Sequence, residues 1–382
     1  MQCDAGWRIW TFAKVSTDEG ITGYAETGVG RSPWAVAGCV RDLESCLIGK
    51  DPTQIEKLYW DMGWAMRGTP GGIAQVAIAG IDNALWDIKG KALGVPVHQL
   101  FGGPTRDKMR LYWSHCGTSR ARASQIIGVP ALKTRDDVVR LGQEVARRGF
   151  TALKTNIVVP GEKAYVYSAA EGPGAAGHDR TLSNELLEKI ESHISAMREG
   201  VGDKVDIALD TNSNFRFDGY KRIARALEPY KLMWLEIDDE DPATLAELRR
   251  STSTRITSCE RFTMTQQYRD VFKVQGVDVA MIDVPWNGFT QSKKIADLAM
   301  VYGVKVAPHN YYSHLSTLMS ANLCASIANT HIMEIDIDDV AWKGDLITEP
   351  IEIKDGYLTI PRKPGWGADL NEKVLAQHAW PK

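Results

Sequence analysis

The sequence has few cysteines, and none of them forms a CxxC pair. They also lack the spacing of a disulfide framework, which excludes the small disulfide-stabilised folds. In a chain of 382 residues they are interpreted as reduced thiols, and a cytoplasmic protein is expected. The six cysteines are Cys3, Cys39, Cys46, Cys116, Cys259 and Cys324.

Long apolar runs are also missing. No segment approaches the ~18 apolar residues of a membrane-crossing helix, so no membrane partner is expected. The N-terminal segment MQCDAGWRIWTFAKVSTDEG does not place an apolar stretch after a basic one, so it does not resemble a signal peptide.

The chain has no excess of positive charge either. Its net charge is −3 and its lysines and arginines are scattered, so no nucleic-acid partner is expected. Hydrophobic residues make up 44% of the chain, which is enough for a large core. A chain of this length is predicted to form one large domain and one smaller domain.

The N-terminal part of the sequence has the pattern of a small α+β domain. Residues 7–26 alternate in two short runs around Asp-Glu-Gly, which predicts a β-hairpin. A Gly/Pro/Ser-rich loop, TGVGRSPWA, comes next, followed by helical patterns from Ala35 to Trp64 and over residues 73–94. We therefore predict a capping domain over residues 1–106.

From Met109 the pattern alternates between short apolar runs and amphipathic stretches. Eight such runs with helical crossovers predict an α/β fold, a (β/α)8-type (modified (β/α)7β) TIM barrel over residues 107–340. An open parallel sheet is the alternative. Residues 341–382 are expected to pack back on the cap and complete it. The predicted strands are 109–113, 150–156, 204–210, 231–236, 255–260, 277–283, 304–309 and 331–335.

Three carboxylates close consecutive predicted strands at a nearly constant spacing. Asp210, Glu236 and Glu260 are separated by 26 residues (236 − 210) and 24 residues (260 − 236). In a barrel these strand ends meet at the catalytic face, where three acids would repel one another without a cation between them. Mg2+ is the expected ion, because it prefers oxygen ligands. The alternative is that Asp210 and Glu236 only cap the following helices.

The next strand ends continue the period with Asp283, His309 and Glu334. Asp283 and His309 lie on adjacent predicted strands, so a hydrogen-bonded pair with His309 as a general base is geometrically reasonable. A surface or core histidine is the alternative interpretation. The second strand brings Lys154 and Asn156 to the same barrel mouth, because they lie two residues apart, and Asn156 is predicted to bind the substrate.

Several further residues are also candidates for the site. Asn212 shares the orientation of Asp210 and is predicted to bind a ligand oxygen. Arg67 and the glycines around positions 28–30 are predicted to reach the site from the cap. The long loop after the second strand, over residues 158–180, is predicted to be a lid or substrate-binding loop that offers Tyr165 and Tyr167.

Together these motifs resemble the mandelate racemase subgroup of the enolase superfamily. The cap carries IDNALWDIKGKALGVPVHQLFGG, and the barrel carries LKTN, ALDTN, WLE, SCER, the Asp283/His309 pair and MEID. The resemblance covers nearly the whole chain. It implies Mg2+ as the cofactor, a carboxylate substrate, a cap loop at Gly28–Trp34 that closes over that substrate, and a homo-oligomer such as a dimer or octamer.

The resemblance also implies roles for individual residues. It implies Mg2+ ligation by Asp210, Glu236 and Glu260, and His309 as the base with Asp283 as its partner. Glu334 and Lys154 are implied to lie beside the substrate carboxylate. The chemistry of the superfamily is removal of the proton next to that carboxylate, with Mg2+ stabilising the resulting anion.

One departure from the subgroup bears on the reaction. The subgroup usually has Lys-x-Lys on the second strand, whereas here Asn156 replaces the second lysine, and an amide cannot remove a proton. A racemase needs a base on each face of its substrate, but a dehydratase needs only one. We therefore predict dehydration of an aldonate or aldarate acid sugar to a 2-keto-3-deoxy acid. A cycloisomerase or epimerase that uses Tyr165 or Tyr167 as its second acid is one alternative, and a non-catalytic binding or structural barrel is another.

Overall fold

The N-terminal residues form a three-stranded antiparallel sheet. The computed structural model describes residues 1–28 and 32–381, and its first strands are β1 (Gln2–Asp4), β2 (Ile9–Ser16) and β3 (Thr22–Thr27). β2 and β3 pair from Ser16↔Thr22 to Thr11↔Thr27, which confirms the predicted hairpin. β1 adds a strand that the alternation pattern did not indicate.

Four helices complete the N-terminal part of the cap. The stretch predicted as helical from residue 35 to residue 64 is interrupted by a loop over residues 48–54, which contains Gly49 and Pro52. Both residue types end helices, Gly through its flexibility and Pro through its missing N–H. The helices are α1 (Pro33–Asp42), α2 (Glu44–Leu47), α3 (Ile55–Ala65) and α4 (Gly72–Ala92).

Eight parallel strands then form a closed barrel, which confirms the predicted fold class. The first seven pair in chain order, and the seventh forms a parallel bridge, Val306↔Thr330, to the segment just before the eighth. The eighth pairs with the first through Glu334↔Tyr112 and Asp336↔Ser114, so the open-sheet alternative is wrong. The strands are β4 (Lys108–Ser114), β5 (Ala152–Thr155), β8 (Asp206–Asp210), β9 (Trp234–Glu236), β10 (Ile256–Ser258), β11 (Val279–Asp283), β12 (Lys305–His309) and β13 (Met333–Asp336).

Amphipathic helices cover the outside of the barrel. In the helix after β8, for example, Tyr220, Ile223, Ala224 and Leu227 are buried, and their spacing places them on one face. No helix among the described residues is long and apolar enough to cross a membrane. The helices are α5 (Thr118–Ile127), α6 (Arg135–Arg147), α7 (Asn184–Val201), α8 (Phe217–Leu227), α9 (Pro242–Arg250), α10 (Thr265–Lys273), α11 (Val284–Val301) and α12 (His314–Ser326).

The loop after β5 contains a short hairpin, formed by β6 (Val158–Val159) and β7 (Tyr165–Val166). Tyr167 is 2% exposed and stacks on Phe215, with ring centroids 5.7 Å apart. It is therefore packed in the core next to α8. This packing does not favour Tyr167 as the second acid of an isomerase.

The C-terminal segment contacts both the barrel and the cap. β14 (Ile353–Lys354) and β15 (Tyr357–Thr359) form a hairpin, and β15 pairs with the first half of β4 through Leu358↔Met109. β13 pairs with β4 only from Leu111 onward, which leaves the edge of β4 before Leu111 free for β15. Residues 353–359 of the C-terminal segment therefore lie against the barrel strand β4.

The rest of this segment contacts the cap. Trp366 Nε1 donates a hydrogen bond to Tyr24 O over 2.9 Å, and Glu372 at the start of α13 (Glu372–Gln377) pairs with Lys14. The proposed domain boundaries at residues 106 and 340 stay a prediction.

The cap sheet also contacts the helix that follows His309. Glu26 on β3 is fully buried and accepts hydrogen bonds from Ser313 N (3.0 Å) and Ser313 Oγ (2.5 Å), and Ser313 is the N-cap of α12. Burial raises the pKa of Glu26 to about 7, although the hydrogen bonds from Ser313 oppose the change.

This contact predicts a pH-dependent stability. Because the pKa of Glu26 is raised from 4.5 in the unfolded chain to about 7 in the folded protein, its contribution falls as pH rises through that window. We expect Glu26→Gln to increase the free energy of unfolding. The increase should be larger at pH 8 than at pH 5, by up to about 3 kcal/mol. Thermal unfolding of both proteins at the two pH values measures this difference. Glu19→Gln, at an exposed position in the hairpin loop, is the control and should cause no pH-dependent change.

Candidate active site

Three carboxylates converge at the C-terminal mouth of the barrel. Oxygen atoms of Asp210, Glu236 and Glu260 all lie within 4.8 Å of one another. Asp210 and Glu236 end β8 and β9, as predicted. Glu260 does not lie on a strand, because β10 ends at Ser258 and Cys259 turns the chain with φ 85°. The turn still directs Glu260 to the other two acids.

Lys154 neutralises part of this negative charge. Its Nζ lies 3.0 and 3.2 Å from the two oxygens of Glu236 and 3.1 Å from Glu334 Oε1. Trp234 Nε1 donates a further hydrogen bond to Glu236 over 3.1 Å. Lys154 is 1% exposed, and although burial lowers its pKa, the two glutamates raise it well above its usual range. The ammonium group therefore stays charged inside the barrel mouth.

The charge on the three acids is nevertheless not fully balanced. Burial raises the pKa of Asp210 to about 6, with Lys154 opposing the shift and Glu260 reinforcing it. Burial likewise raises the pKa of Glu236 well above its usual range, and the other two acids add to the effect of burial despite Lys154. A divalent cation among these oxygens would supply the missing positive charge. The donor set, oxygen only and anionic, fits a hard cation.

Asp238 is a fourth acid beside the same cluster. It follows Glu236 by two residues and opens the acidic run Asp-Asp-Glu-Asp that precedes α9. Asp241 does cap α9, by accepting from Thr244 N, but Asp238 Oδ1 is buried without a hydrogen-bond partner in the described parts of the chain. Burial raises the pKa of Asp238 well above its usual range, and Glu260 and Asp210 add to this effect. Its unpaired oxygen is a further observation that fits a cation at the site.

Asn156 and Asn212, predicted to bind substrate, both contact Asp210. Asn156 Nδ2 donates to Asp210 Oδ2 over 2.9 Å, and Asn212 N donates to Asp210 Oδ1 over 2.7 Å. The other end of the Asn156 amide accepts from Thr118 Oγ1 at 2.6 Å. These contacts fix the orientation of the Asp210 carboxylate, while substrate binding by the two amides stays a prediction.

We expect Asn156→Ala to weaken Mg2+ binding, because Asp210 would lose a donor that orients it. Loss of a group that orients a metal ligand typically lowers affinity about 10- to 100-fold. Calorimetric titration with Mg2+ measures the change. Asn371→Ala, which removes an amide capping α13 in the C-terminal segment, is the matched control and should leave the affinity unchanged. Equal Mg2+ affinity in Asn156→Ala and wild type would contradict the orienting role.

His309 and Asp283 form the predicted pair. The two residues are paired in the register of β11 and β12, and His309 Nδ1 lies 2.6 Å from Asp283 Oδ2. Asp283 also accepts from Tyr312 Oη at 2.5 Å and from Trp286 N at 2.9 Å. Because this carboxylate accepts all three bonds, His309 carries a proton on Nδ1 and presents Nε2 toward Glu260 Oε2, 3.6 Å away.

The surroundings of His309 make it a strong base. Burial lowers the pKa of its ring, but Glu260, Asp283 and Glu334 outweigh burial and raise the pKa to about 10. For Asp283, burial dominates and raises the pKa, although the hydrogen bond from His309 opposes this change. Without a cation the ring is therefore protonated at neutral pH. A divalent cation held by Glu260 would offset the negative charge that raises the pKa most and would lower the pKa of His309, so that Nε2 could accept a proton from a neighbouring carbon.

Glu334 is fully buried within β13, two residues before the end of the strand. Besides Lys154, it accepts hydrogen bonds from Asn310 N (2.7 Å) and from Ser114 Oγ. Burial alone would raise its pKa, but Lys154 and then His309 hold the pKa well below its usual range. Glu334 is therefore ionised and keeps Lys154 in place.

The cap approaches the barrel mouth at Gly28, just after β3. A Cβ at this position would lie 1.9 Å from Trp286 Nε1 and 3.0 Å from Tyr312 Oη, so only glycine fits. Residues 29–31 of the predicted closing loop lie outside the described residues, and residues 33–34 form the start of α1. Arg67 is exposed, donates to Trp64 O and lies over the Trp64 ring, so it is not brought into the acidic group.

Sequence reasoning missed His115, which directly follows β4. The near-constant spacing of strand-end residues holds only from Asp210 on the third strand to Glu334 on the eighth, so it does not lead to His115. The signal that could have located Ser114 and His115 is their position directly after the predicted first strand, 109–113.

An eight-stranded parallel barrel with three converging acids, an Asp–His pair and an α+β cap defines a barrel protein of the enolase type. The family model described as "Mandelate racemase / muconate lactonizing enzyme, N-terminal domain" matches residues 8–102. The model described as "Enolase C-terminal domain-like" matches residues 137–374. The chain belongs to the mandelate racemase/muconate lactonizing enzyme family of the enolase superfamily.

Relatives with assigned activities match over almost the full chain. A D-xylonate dehydratase from Haloferax volcanii is 31% identical, over 97% of this chain and 85% of its own length. A D-galactonate dehydratase from Ralstonia pickettii is 30% identical, over 97% of this chain and 91% of its own length.

Among solved structures, a protein from Burkholderia xenovorans is similar throughout. It is provisionally assigned as an L-alanine-DL-glutamate epimerase and is 37% identical. It covers 99% of this chain and 96% of its own, with a TM-score of 0.95. A second structure of that protein, with a TM-score of 0.94, contains magnesium and fumarate.

Proposed function

We propose that this protein is a Mg2+-dependent dehydratase of acid sugars that converts an aldonate or aldarate to a 2-keto-3-deoxy acid. The observation that carries the proposal is that His309, oriented by Asp283, presents Nε2 to the acidic cluster, while Asn156, bound to Asp210, stands where the subgroup has a second basic residue. The activities assigned to the Haloferax and Ralstonia relatives support the same reaction.

Asp210, Glu236 and Glu260 would hold the Mg2+. When bound, Mg2+ would stabilise the negative charge that develops on the substrate carboxylate as the adjacent carbon loses its proton. Lys154 would add its positive charge beside that carboxylate, and the buried Glu334 keeps Lys154 in position.

His309 Nε2 would accept the proton from the carbon next to the carboxylate. Asp283 would stabilise the resulting imidazolium by accepting the Nδ1–H bond, and Tyr312 orients Asp283. The imidazolium would then return that proton to the departing hydroxyl of the next carbon, so that water leaves. The enol that remains becomes the 2-keto-3-deoxy acid by tautomerisation.

A screen of acid sugars tests this proposal. Purified protein with Mg2+ is incubated with a library of aldonates and aldarates, and α-keto acids are detected. Formation of a keto acid from at least one member is expected, and chelation of Mg2+ should abolish it. An absence of keto acid across a broad library would contradict dehydration.

An epimerase is the second candidate function, and the Burkholderia protein at 37% identity is the observation that favours it. The two functions differ in the fate of the proton. Exchange of the proton at the α-carbon with solvent deuterium, without keto-acid formation, would identify the epimerase. We also retain the proposals of a small carboxylate substrate, a homo-oligomeric assembly and a cytoplasmic location, with light scattering as the test of the assembly.

A further inference from the structure

His115 lies next to two residues of the proposed site, Glu334 and Lys154. It follows β4, whose neighbours β13 and β5 carry Glu334 and Lys154. Its backbone has φ 48°, a left-handed conformation that non-glycine residues rarely adopt, and its ring stacks on Tyr311 at a centroid distance of 3.6 Å. A residue held in such a conformation by its surroundings is typical of functional sites.

The hydrogen bonds of Ser114 determine which ring nitrogen of His115 carries the proton. Ser114 Oγ contacts both the ionised Glu334 and His115 Nδ1, the latter at 2.8 Å. A carboxylate only accepts, so the Ser114 hydroxyl donates to Glu334, and its oxygen accepts from His115 Nδ1–H. The neutral ring therefore has an open lone pair on Nε2.

That lone pair is unused and accessible. His115 Nε2 makes no hydrogen bond within residues 1–28 and 32–381, and the side chain keeps 10% of its surface exposed. By contrast, the unpaired Nδ1 atoms of His98, His193 and His314 are sealed from solvent. The Nε2 of His115 is therefore free to accept a hydrogen bond, whereas its Nδ1 is bound to Ser114.

The charges around His115 keep the ring neutral. Burial lowers its pKa well below the usual range; Glu334 opposes this change, and Lys154, Arg122 and His309 add to it. A ring that does not hold a second proton is a poor acid but a good acceptor. Its geometry is therefore suited to bind a hydroxyl group and not to protonate a leaving group.

We infer that His115 binds the substrate by accepting a hydrogen bond from one of its hydroxyl groups at Nε2. This inference rests on the proposed function, because it requires a polyhydroxy acid in the site. His115, at the end of the first barrel strand, would then contribute to specificity among acid sugars. A sugar acid without a hydroxyl at the corresponding carbon would leave Nε2 unpaired.

Three variants distinguish the contribution of Nδ1 to binding from that of Nε2. His115→Asn keeps an amide donor near the position of Nδ1 and tolerates the left-handed backbone, but it removes the Nε2 acceptor. His115→Gln places an amide oxygen near the position of Nε2. Ser114→Ala keeps the ring and releases the constraint on its tautomer. Unchanged thermal unfolding and Mg2+ affinity would show that a variant is folded.

The test is a comparison of binding. Calorimetry on the Mg2+-loaded protein selects the acid sugar that binds most tightly, and its monodeoxy analogues are then titrated. We expect wild type to lose about tenfold in affinity when one particular hydroxyl is missing. His115→Asn should bind the parent sugar about tenfold more weakly and should no longer distinguish that analogue, whereas His115→Gln and Ser114→Ala should retain part of the discrimination.

Each outcome has a distinct meaning, because keto-acid formation is measured on the same samples. Discrimination that is unchanged in His115→Asn overturns the inference, even if dehydration occurs. Lost discrimination without any keto acid supports the inference and contradicts dehydration. Unchanged affinities combined with lost α-proton exchange would replace the binding role with that of a second base. If no acid in the library binds wild type, both proposals are wrong.

Discussion

His309→Asn should lower the rate of proton removal about 10²- to 10⁴-fold while Mg2+ still binds. The asparagine amide can still donate to Asp283 near the position of Nδ1, but it has no counterpart of Nε2. The variant therefore removes the base but keeps the hydrogen bond to Asp283. Keto-acid formation and α-proton exchange in deuterated water measure the effect, and calorimetry measures Mg2+ binding.

Tyr312→Phe is the matched control for this variant. It removes one hydrogen bond to Asp283 but leaves the His309–Asp283 pair intact, so the rate should fall only about tenfold or less. If His309→Asn retained more than a tenth of the wild-type exchange rate, another residue would have to be the base.

Glu236→Gln should have opposite effects on metal binding and on stability. Loss of a residue that contacts a metal ligand typically lowers the metal affinity ~10- to 100-fold, and loss of a direct ligand has a larger effect. The Mg2+ affinity of Glu236→Gln should therefore fall at least 100-fold. Without Mg2+, however, the variant should be more stable at pH 8. Since the fold raises the pKa of Glu236, its ionised form is disfavoured in the folded protein, and a neutral amide removes that penalty.

Thermal unfolding of the Mg2+-free proteins measures the gain, for which we expect about 2 °C for each 1 kcal/mol in a chain of this size. Lys154 keeps Glu334 as a partner in the variant, so it is not left unpaired. Glu247→Gln, at an exposed position on α9, is the control and should leave both properties unchanged. A lower melting temperature of Glu236→Gln in the absence of Mg2+ would show that the pair with Lys154 outweighs the repulsion among the acids.

The strand-end period in the sequence predicted much of the site. It located Asp210, Glu236, Asp283, His309 and Glu334 on their strands, because parallel strands of similar length end at one face of a barrel. It also located Glu260, but not the turn at Cys259 that carries it. A period of about 25 residues cannot distinguish a strand end from a turn that follows it.

Other contacts could not be predicted from the sequence, because they depend on side-chain direction. The amides of Asn156 and Asn212 could equally have pointed to a ligand, and only the folded structure brings both to Asp210. His115 lies in a left-handed turn, a conformation that no strand or helix pattern indicates. The pairing of β15 with β4 was missed because it depends on how far β13 extends along β4.

The contact between Glu26 and Ser313 means that the cap and the barrel are not independent modules. A residue of the cap accepts the hydrogen bonds that begin α12, only a few positions after His309. Arg8, also in the cap, pairs with Asp336 at the end of β13. A chimera that combined this barrel with a cap from another protein would inherit every acid of the metal cluster. It would lose the groups that anchor the segment after the base, so recombination of cap and barrel would require matched changes on both sides of this junction.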